Sequence, residues 1–155
     1  MPRVRRLPPW AANVAKRLVR SPKTYLRDSG VVHALLGIGT QEQLLGHPVV
    51  GASWEGLVIE NPIAVAPPGT RPWFYRTSAG AEIDLLIEFA KGGPWAVKVK
   101  RSISSPEPGK GFHLACQDVK ARKRMVVYPG RESYRINPTT EVVSLPDAIS
   151  RLRAE

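Results

Sequence analysis

Three segments in the middle of the chain alternate between apolar and polar residues, and they predict a meander of β-strands. In the second segment, every other residue from Ile83 to Phe89 is apolar, which is typical of a strand with one buried face. Its other face carries two glutamates, an aspartate and a leucine. The three predicted strands cover residues 73–78, 82–89 and 95–100.

The short connection between the second and third predicted strands suits a hairpin turn. If Phe89 pairs with Trp95, then Asp84 lies opposite Lys100 on one face of the sheet. The alternation also predicts that the Lys98 side chain shares this face with Asp84. Opposite charges are therefore expected to meet across the two strands.

Apolar residues at helical spacing predict helices before and after this meander along the chain. Asp28 is the expected N-cap of one of them and Ser53 of another, and Pro146 lies in the first turn of the last. Beginning at Ala52, the predicted order is α-β-β-β-α-β, followed by one further strand and helix. The predicted helices cover residues 11–20, 28–36, 41–45, 52–63, 112–120 and 146–153, and the remaining strands cover 23–27, 124–128 and 141–145.

Composition places this pattern in one globular domain. The 155 residues are 43% hydrophobic and 23% charged, which suffices for a real core. The single cysteine, Cys116, excludes an internal disulfide and fits the reducing cytoplasm. No apolar run approaches the roughly 18 residues that a membrane span needs, so no membrane partner is expected.

The net charge of +10 is concentrated at the N-terminus. Residues 1–27 hold eight basic residues and no acid, whereas the other 128 hold 15 basic and 13 acidic residues. This distribution predicts a basic helical arm over residues 1–22 and a nearly neutral domain over 23–155. Such an arm can bind a phosphate backbone without sequence preference. The alternatives are a solvated face or a segment that docks on an acidic partner.

A second run of basic residues follows the predicted helix over 112–120. Together with the arm and with Arg101, which follows the third predicted strand, it provides the candidate nucleic-acid-binding residues, although a charged loop is more often simply solvated. The candidates are Arg3, Arg5, Arg6, Lys16, Arg17, Arg20, Arg101, Lys120, Arg122, Lys123 and Arg124.

The candidate catalytic site consists of Glu55, Asp84, Lys98 and Lys100. An Asp on one strand and an acid-x-Lys on the next form the metal-binding signature of PD-(D/E)XK nucleases. Two carboxylates hold Mg²⁺ and the water that it activates. Here Lys98 stands where the second acid belongs, and one carboxylate beside two ammonium groups repels the ion.

One alternative restores an acid to this site. Glu82 lies on the same predicted strand face as Asp84 and can supply the missing carboxylate, whereas Glu88 is about 13 Å away from Asp84 along the strand. The other alternative is that these residues are paired surface charges of a half-exposed sheet.

Several of these stretches resemble a known family, the C-terminal domain of uncharacterised function found in many predicted bacterial and archaeal AAA-type ATPases. That family is similar to PD-(D/E)XK nucleases, which implies a restriction-endonuclease-like mixed sheet flanked by helices. The resemblance implies that Glu55 matches the helix acid, Asp84 the strand aspartate and Lys100 the lysine. The family usually has Glu at the position of Lys98. The matching stretches include Asn13–Lys23, Tyr25–Gly30, Gly51–Gly56, Phe74–Asp84, Trp95–Ser102 and Val127–Gly130.

These observations favour a degenerate, non-catalytic nuclease-like domain without a cofactor. Its expected role is nucleic-acid binding, or docking to an ATPase or a toxin–antitoxin-like partner. A Mg²⁺-dependent nuclease that uses Glu55, Asp84 and Glu82 remains an alternative, as does an assembly module that forms oligomers. Members of the family normally follow a P-loop ATPase, but this chain has no complete G-x-x-x-x-G-K-[ST] motif, so it is not expected to bind ATP itself.

Overall fold

A computed structural model describes residues 3–11 and 15–155 of the chain. These residues form a mixed α/β structure. The strands are β1 (Val4–Leu7), β2 (Lys23–Leu26), β3 (Arg71–Arg76), β4 (Glu82–Glu88), β5 (Trp95–Val99), β6 (Lys123–Tyr128), β7 (Tyr134–Asn137) and β8 (Thr140–Ser144). The helices are α1 (Ser29–Leu35), α2 (Gln41–Gly46), α3 (Val50–Val65), α4 (Lys110–Asp118) and α5 (Leu145–Arg153).

Six of the strands form one mixed sheet in the order β3-β4-β5-β6-β8-β7. The first three are antiparallel neighbours, β5, β6 and β8 run parallel, and β7 returns antiparallel to β8. The predicted order α-β-β-β-α-β is present as α3-β3-β4-β5-α4-β6. The α/β prediction is therefore confirmed, while β1 and β7 are strands that the pattern did not reveal.

Helices cover both faces of the six-stranded sheet. On one face, Val58 and Ile59 of α3 and Leu152 of α5 pack against β4, β5 and β6. On the opposite face, Phe112 and Cys116 of α4 pack against β4 and β5. The sheet thus has an α3 face and an α4 face, and the candidate carboxylates lie at the α3 face.

The predicted N-terminal helix over residues 11–20 is wrong in its described part, since residues 15–20 contain no helix, and residues 12–14 lie outside the described residues. The described residues on either side of 12–14 instead bond to the outer edge of β3. The Trp10 amide donates to the Phe74 carbonyl at 2.8 Å, and the Val19 amide donates to the Arg76 carbonyl at 2.9 Å. These bonds satisfy backbone groups of β3 that would stay unpaired if the residues formed a separate helix.

The β4–β5 register differs from the predicted one by two residues. Ile87, not Phe89, pairs with Trp95, because β4 ends at Glu88 and the turn that follows includes Gly92 at a φ of +83°. The Phe89 ring packs on the Trp95 ring instead, with 5.2 Å between centroids. A shift of two residues preserves the strand faces.

A β-bulge interrupts the alternation predicted for β4. Trp73 pairs with Leu86 and Tyr75 pairs with Ile83, so one residue of β3 faces two residues of β4, Asp84 and Leu85. Ile83 and Leu86 consequently pack on the α4 face, while Leu85 packs on the α3 face. The expected placement of Ile83 with Leu85 on one face is therefore wrong.

The predicted helix caps had mixed outcomes. Asp28 caps α1 as expected, by accepting hydrogen bonds from the Gly30 and Val31 amides. The expected Ser53 cap of α3 is wrong, because this helix begins at Val50, one turn earlier. The Ser53 hydroxyl lies 2.6 Å from the His33 ring and connects α3 to α1.

Candidate functional site

Three carboxylates from two elements meet at the α3 face of the sheet. Glu55 comes from the first half of α3, while Glu82 and Asp84 come from the start of β4. The ammonium of Lys23, the first residue of β2, lies among them. Its Nζ atom is 3.3 Å from Glu55 Oε1, 3.2 Å from Glu82 Oε1 and 3.7 Å from Asp84 Oδ1. We call these residues, together with Lys98, the carboxylate cluster.

Lys98 supplies a second ammonium to the carboxylate cluster. Its Nζ atom lies 3.1 Å from Asp84 Oδ2 and 3.6 Å from Glu82 Oε2. Asp84 also accepts a hydrogen bond of 2.8 Å from the backbone amide of Val99. In the described part of the chain, the ion pairs of Lys98 do not include Glu55. Lys98 thus holds the carboxylate that the nuclease signature assigns to metal.

Two further side chains complete the surroundings of the carboxylate cluster. The Tyr25 hydroxyl donates to Glu55 Oε1 at 2.6 Å, and Arg76 Nη2 donates to Glu82 Oε1 at 2.5 Å. With Arg76 included, three cations balance three carboxylates among the described residues. The arrangement is therefore close to electrically neutral, although Asp84 is only 4% exposed.

Burial and charge act in opposite directions on these groups. Burial raises the pKa of the Asp84 carboxyl, and the attraction of Lys98 does not fully offset it. Burial lowers the pKa of Lys23, but attraction to Glu55, Asp84 and Glu82 outweighs it, so that the pKa is raised overall. Burial and the hydrogen bond to Glu55 both raise the pKa of Tyr25, which therefore donates as a neutral phenol. Both Lys23 and Tyr25 are thus held in their proton-donating forms.

Lys100 does not join the carboxylate cluster. Its carbonyl oxygen accepts a hydrogen bond of 2.9 Å from the Trp54 indole, and its amide donates to the Val127 carbonyl. The ion pairs formed by residues 3–11 and 15–155 include none of Lys100. The predicted pairing of Asp84 with Lys100 is wrong, because the register brings Lys98 to Asp84.

Lys23 and Tyr25 were not among the candidate site residues from the sequence. Both belong to β2, which pairs with β1 in a separate two-stranded sheet. Lys23 is 32 residues away from Glu55 and 59 away from Glu82 along the chain. The lysine at the start of a short alternating segment was the one available signal.

The carboxylate cluster does not fit a magnesium ion. Two ammonium nitrogens occupy the space between the carboxylates, at contact distances of 3.1–3.7 Å. Within the part of the chain that the structure describes, no group of three or more His, Cys, Asp or Glu residues is arranged to hold a metal ion. Ammonium groups at these positions repel a divalent cation.

Half of the eight basic residues in 1–27 bind the domain's own carboxylates. Arg5 and Arg27 share Glu60 at 2.8 Å and 2.6 Å, and Lys16 pairs with Asp118 at 2.6 Å. The fourth is Lys23 of the carboxylate cluster. The two arginines lower the pKa of Glu60 although burial opposes them. Within the arm, Arg5 and Lys16 are therefore paired with acids of the domain, and the remaining exposed arginines are Arg3, Arg6, Arg17 and Arg20.

The second set of basic candidates lies at the beginning of β6. Arg122 and Lys123 lie over the Trp95 ring, at 5.7 Å and 4.4 Å from its centroid. Arg124 is half-buried, and Lys120 and Arg101 are exposed on separate loops. The structure thus brings the residues of 122–124 together, but it places Arg101 beyond the opposite end of the parallel strands.

Comparison with known proteins places these features in a family. The sequence model of the Domain of unknown function (DUF4143) matches residues 50–148, from α3 to α5. The chain belongs to the DUF4143 family. A second model, Domain of unknown function (DUF8612), matches residues 3–42, which include β1, β2 and α1. The carboxylate cluster of this DUF4143 member therefore combines residues from both matched segments.

Two mycobacterial proteins are similar to this DUF4143 chain. An uncharacterised protein of Mycobacterium tuberculosis and one of Mycobacterium bovis are each 40% identical to it over 143 residues. The match covers 92% of the chain but 31% of each relative, so the chain spans less than a third of their length. No solved structure matches it. None of the helices described here is long and apolar enough to cross a membrane.

Proposed function

We propose that this domain is a non-catalytic relative of PD-(D/E)XK nucleases that binds nucleic acid. The observation that carries the first half of the proposal is the pair of ammonium groups from Lys23 and Lys98 within the carboxylate cluster. A nuclease of this type needs a cation there to activate water and to stabilise the charge that develops on phosphate. In this chain the carboxylates are already neutralised by lysines.

The arrangement of elements supports this relationship. Glu55 on a helix, Asp84 on the second strand of a meander and Lys100 just after the third follow the order that the resemblance implies. A β-bulge at Asp84 turns its carboxylate toward β2 and Lys98, and bulges are frequent beside active sites. In this proposal, Lys98 and Lys23 take the place of the metal beside Glu55 and Asp84, and the Lys100 side chain lies outside the carboxylate cluster.

We expect no cleavage of DNA or RNA in Mg²⁺ or Mn²⁺, and no heat of binding when either ion is titrated into the protein. The physical reason is repulsion of the ion by Lys23 and Lys98. The measurement is calorimetry together with a cleavage assay on labelled duplex and single-stranded substrates. Divalent-dependent cleavage that disappears in Asp84→Ala would instead establish the alternative, a nuclease using Glu55, Asp84 and Glu82.

The charge distribution supports the second half of the proposal. Eight of the eleven basic candidates are exposed, and exposed lysines and arginines release counterions when they contact phosphates. We expect weak binding to labelled DNA without sequence preference, with an affinity that falls steeply as salt increases. Anisotropy at several salt concentrations tests this. Binding that is absent at low salt rejects it and favours a role in protein assembly.

Substitution is a better test of the arm than truncation. Leu7 of β1 is fully buried in the core, so a chain that lacks its first 20 residues would lose stability for reasons unrelated to nucleic acid. The exposed residues Arg3, Arg6, Arg17 and Arg20 can be replaced by glutamine without removing a core side chain or a described ion pair.

A second candidate function, docking to a protein partner, has its own observation. A groove of about 650 Å³ is lined by Leu26, Val31 and Leu35, with Arg27 and Glu60 at its side. Leu35 is 75% exposed, which is unusual for a large apolar side chain unless a partner covers it. By the family resemblance, an ATPase is the expected partner class.

A further inference from the structure

Four basic residues gather where the parallel strands β5, β6 and β8 begin. Two are consecutive at the start of β6, one lies on β7, and one comes from the last turns of α5. We call them the strand-start cluster. Its members are Arg122, Lys123, Arg135 and Arg151.

Lys123 is at the centre of this cluster and is fixed by an aromatic ring. It pairs in register with Trp95, the first residue of β5, and its Nζ atom lies 4.4 Å from the centroid of the Trp95 ring. Arg122 approaches the same ring at 5.7 Å and Phe89 at 5.6 Å. These cation–π contacts hold two positive groups side by side at the start of the parallel strands.

Acids neutralise only part of this positive charge. Glu141 accepts from both Arg135, at 3.1 Å, and Arg151, and Glu155 accepts from Arg122. In the described residues, Lys123 has no carboxylate within ion-pair distance. Its pKa is lowered by burial, and then by repulsion from Arg151, Arg122 and Arg135, which the attraction of Glu155 does not cancel.

The ring that Lys123 covers also carries a buried polar atom without a partner. The Trp95 indole nitrogen is buried and makes no hydrogen bond within the described protein. The Arg124 Nε atom and the Thr140 hydroxyl are likewise buried and unpaired, but these register partners on β6 and β8 face the α4 side, away from Lys123. Buried polar groups are rarely left unpaired, and those that are commonly mark a site for a ligand or water.

We propose that the strand-start cluster binds the phosphate backbone of a nucleic acid. This inference rests on the proposed function and gives it a location. Lys123 and Arg135 are two strands apart, about 10 Å, so an extended polyanion can contact both at once. Arginine forks suit phosphate oxygens, and the phosphate charge replaces the acid that Lys123 lacks. Arg135 and Arg151 are the residues that the sequence did not indicate.

The test compares three sets of glutamine substitutions by anisotropy with fluorescein-labelled DNA and RNA over a salt series. The first set is Lys123→Gln with Arg135→Gln. The control is Lys110→Gln with Arg131→Gln, which removes the same charge beyond the opposite ends of the strands. The rival set replaces the four exposed arginines of the arm. Unfolding curves verify that every variant folds.

We expect the Lys123/Arg135 variant to bind on the order of tenfold more weakly at low salt. We also expect its salt slope to fall by about one for each lost phosphate contact, with little change in the control. If this variant equals the control and the arm variant loses binding, the location is wrong while nucleic-acid binding stands. If the unaltered protein binds neither DNA nor RNA, both proposals fail. Binding to phosphatidylserine vesicles in that case would not change this outcome.

Discussion

Replacing Lys98 by glutamate should lower the free energy of unfolding by about 3 kcal/mol at neutral pH, the typical cost of breaking a largely buried ion pair. The substitution removes the ammonium 3.1 Å from Asp84 and introduces a carboxylate beside Glu82 and Asp84. Asp84 is too deeply buried for water to take over the role of the lysine. Urea unfolding of both proteins measures the difference.

The loss of stability in Lys98→Glu should also depend on pH. In the folded variant, burial and the added like charge raise the pKa of the Asp84 carboxyl above its unfolded value, so the folded state binds more protons. The variant therefore recovers stability, relative to the unaltered protein, as the pH falls from about 7 to about 5. A constant difference over this range would mean that Lys98 acts through packing.

Lys100→Glu is the matched control for this prediction. It makes the same charge change two residues further along the chain, at a side chain outside the carboxylate cluster. We expect a loss within about 0.5 kcal/mol, as for most surface substitutions. Equal losses in the two variants would show that the general charge of this strand matters, rather than the contact between Lys98 and Asp84.

Metal binding should require a change at two lysines. In Lys98→Glu alone, Lys23 still lies among Glu55, Glu82 and Asp84, so we expect little affinity for divalent ions. In the double variant Lys23→Met with Lys98→Glu, four carboxylates surround a position without an ammonium. We expect it to bind Mn²⁺ or Mg²⁺ with a dissociation constant on the order of 1 mM, the weak end of carboxylate sites.

Calorimetry and metal-dependent stability measure this gain. The ion should stabilise the double variant by about 2.7 kcal/mol at a hundred times its dissociation constant, and should leave the unaltered protein unchanged. Adding Asp84→Asn to the double variant is the control, and it should remove most of the affinity. A double variant that folds and binds no metal would show that these carboxylates do not form a nuclease-type site.

The sequence predicted that Lys98 shares a strand face with Asp84, and the two side chains do pair, but in a register two residues away from the predicted one. The same pattern did not lead to Lys23, whose place among the carboxylates is a tertiary contact between two separate sheets. The alternation did not reveal the bulge at Asp84, because β4 is buried on both faces and carries apolar residues on both. In such a strand, the sequence does not show which face each apolar residue occupies.

The basic arm shows a different limit of sequence reasoning. Its apolar residues recur at helical spacing, yet Trp10 and Leu18 pack on the α4 face, and Pro9 and Leu18 form bridges with Phe74 and Thr77. Propensity is a weak guide where an open strand edge offers backbone partners. The charge count was correct, but it did not reveal that Arg5, Lys16 and Arg27 are paired with acids of the domain.

The segment that lies on β3 leaves the six-stranded sheet with two unequal ends. One end is covered by the chain itself, and at the other, nothing in the described residues pairs with the outer side of β7, where Tyr134 and Ile136 are exposed. A further strand can therefore add to the sheet at its β7 edge and not at its β3 edge. Two copies that joined β7 to β7 about a twofold axis would use both open edges, and such a pair would be closed to further addition rather than the start of a fibre.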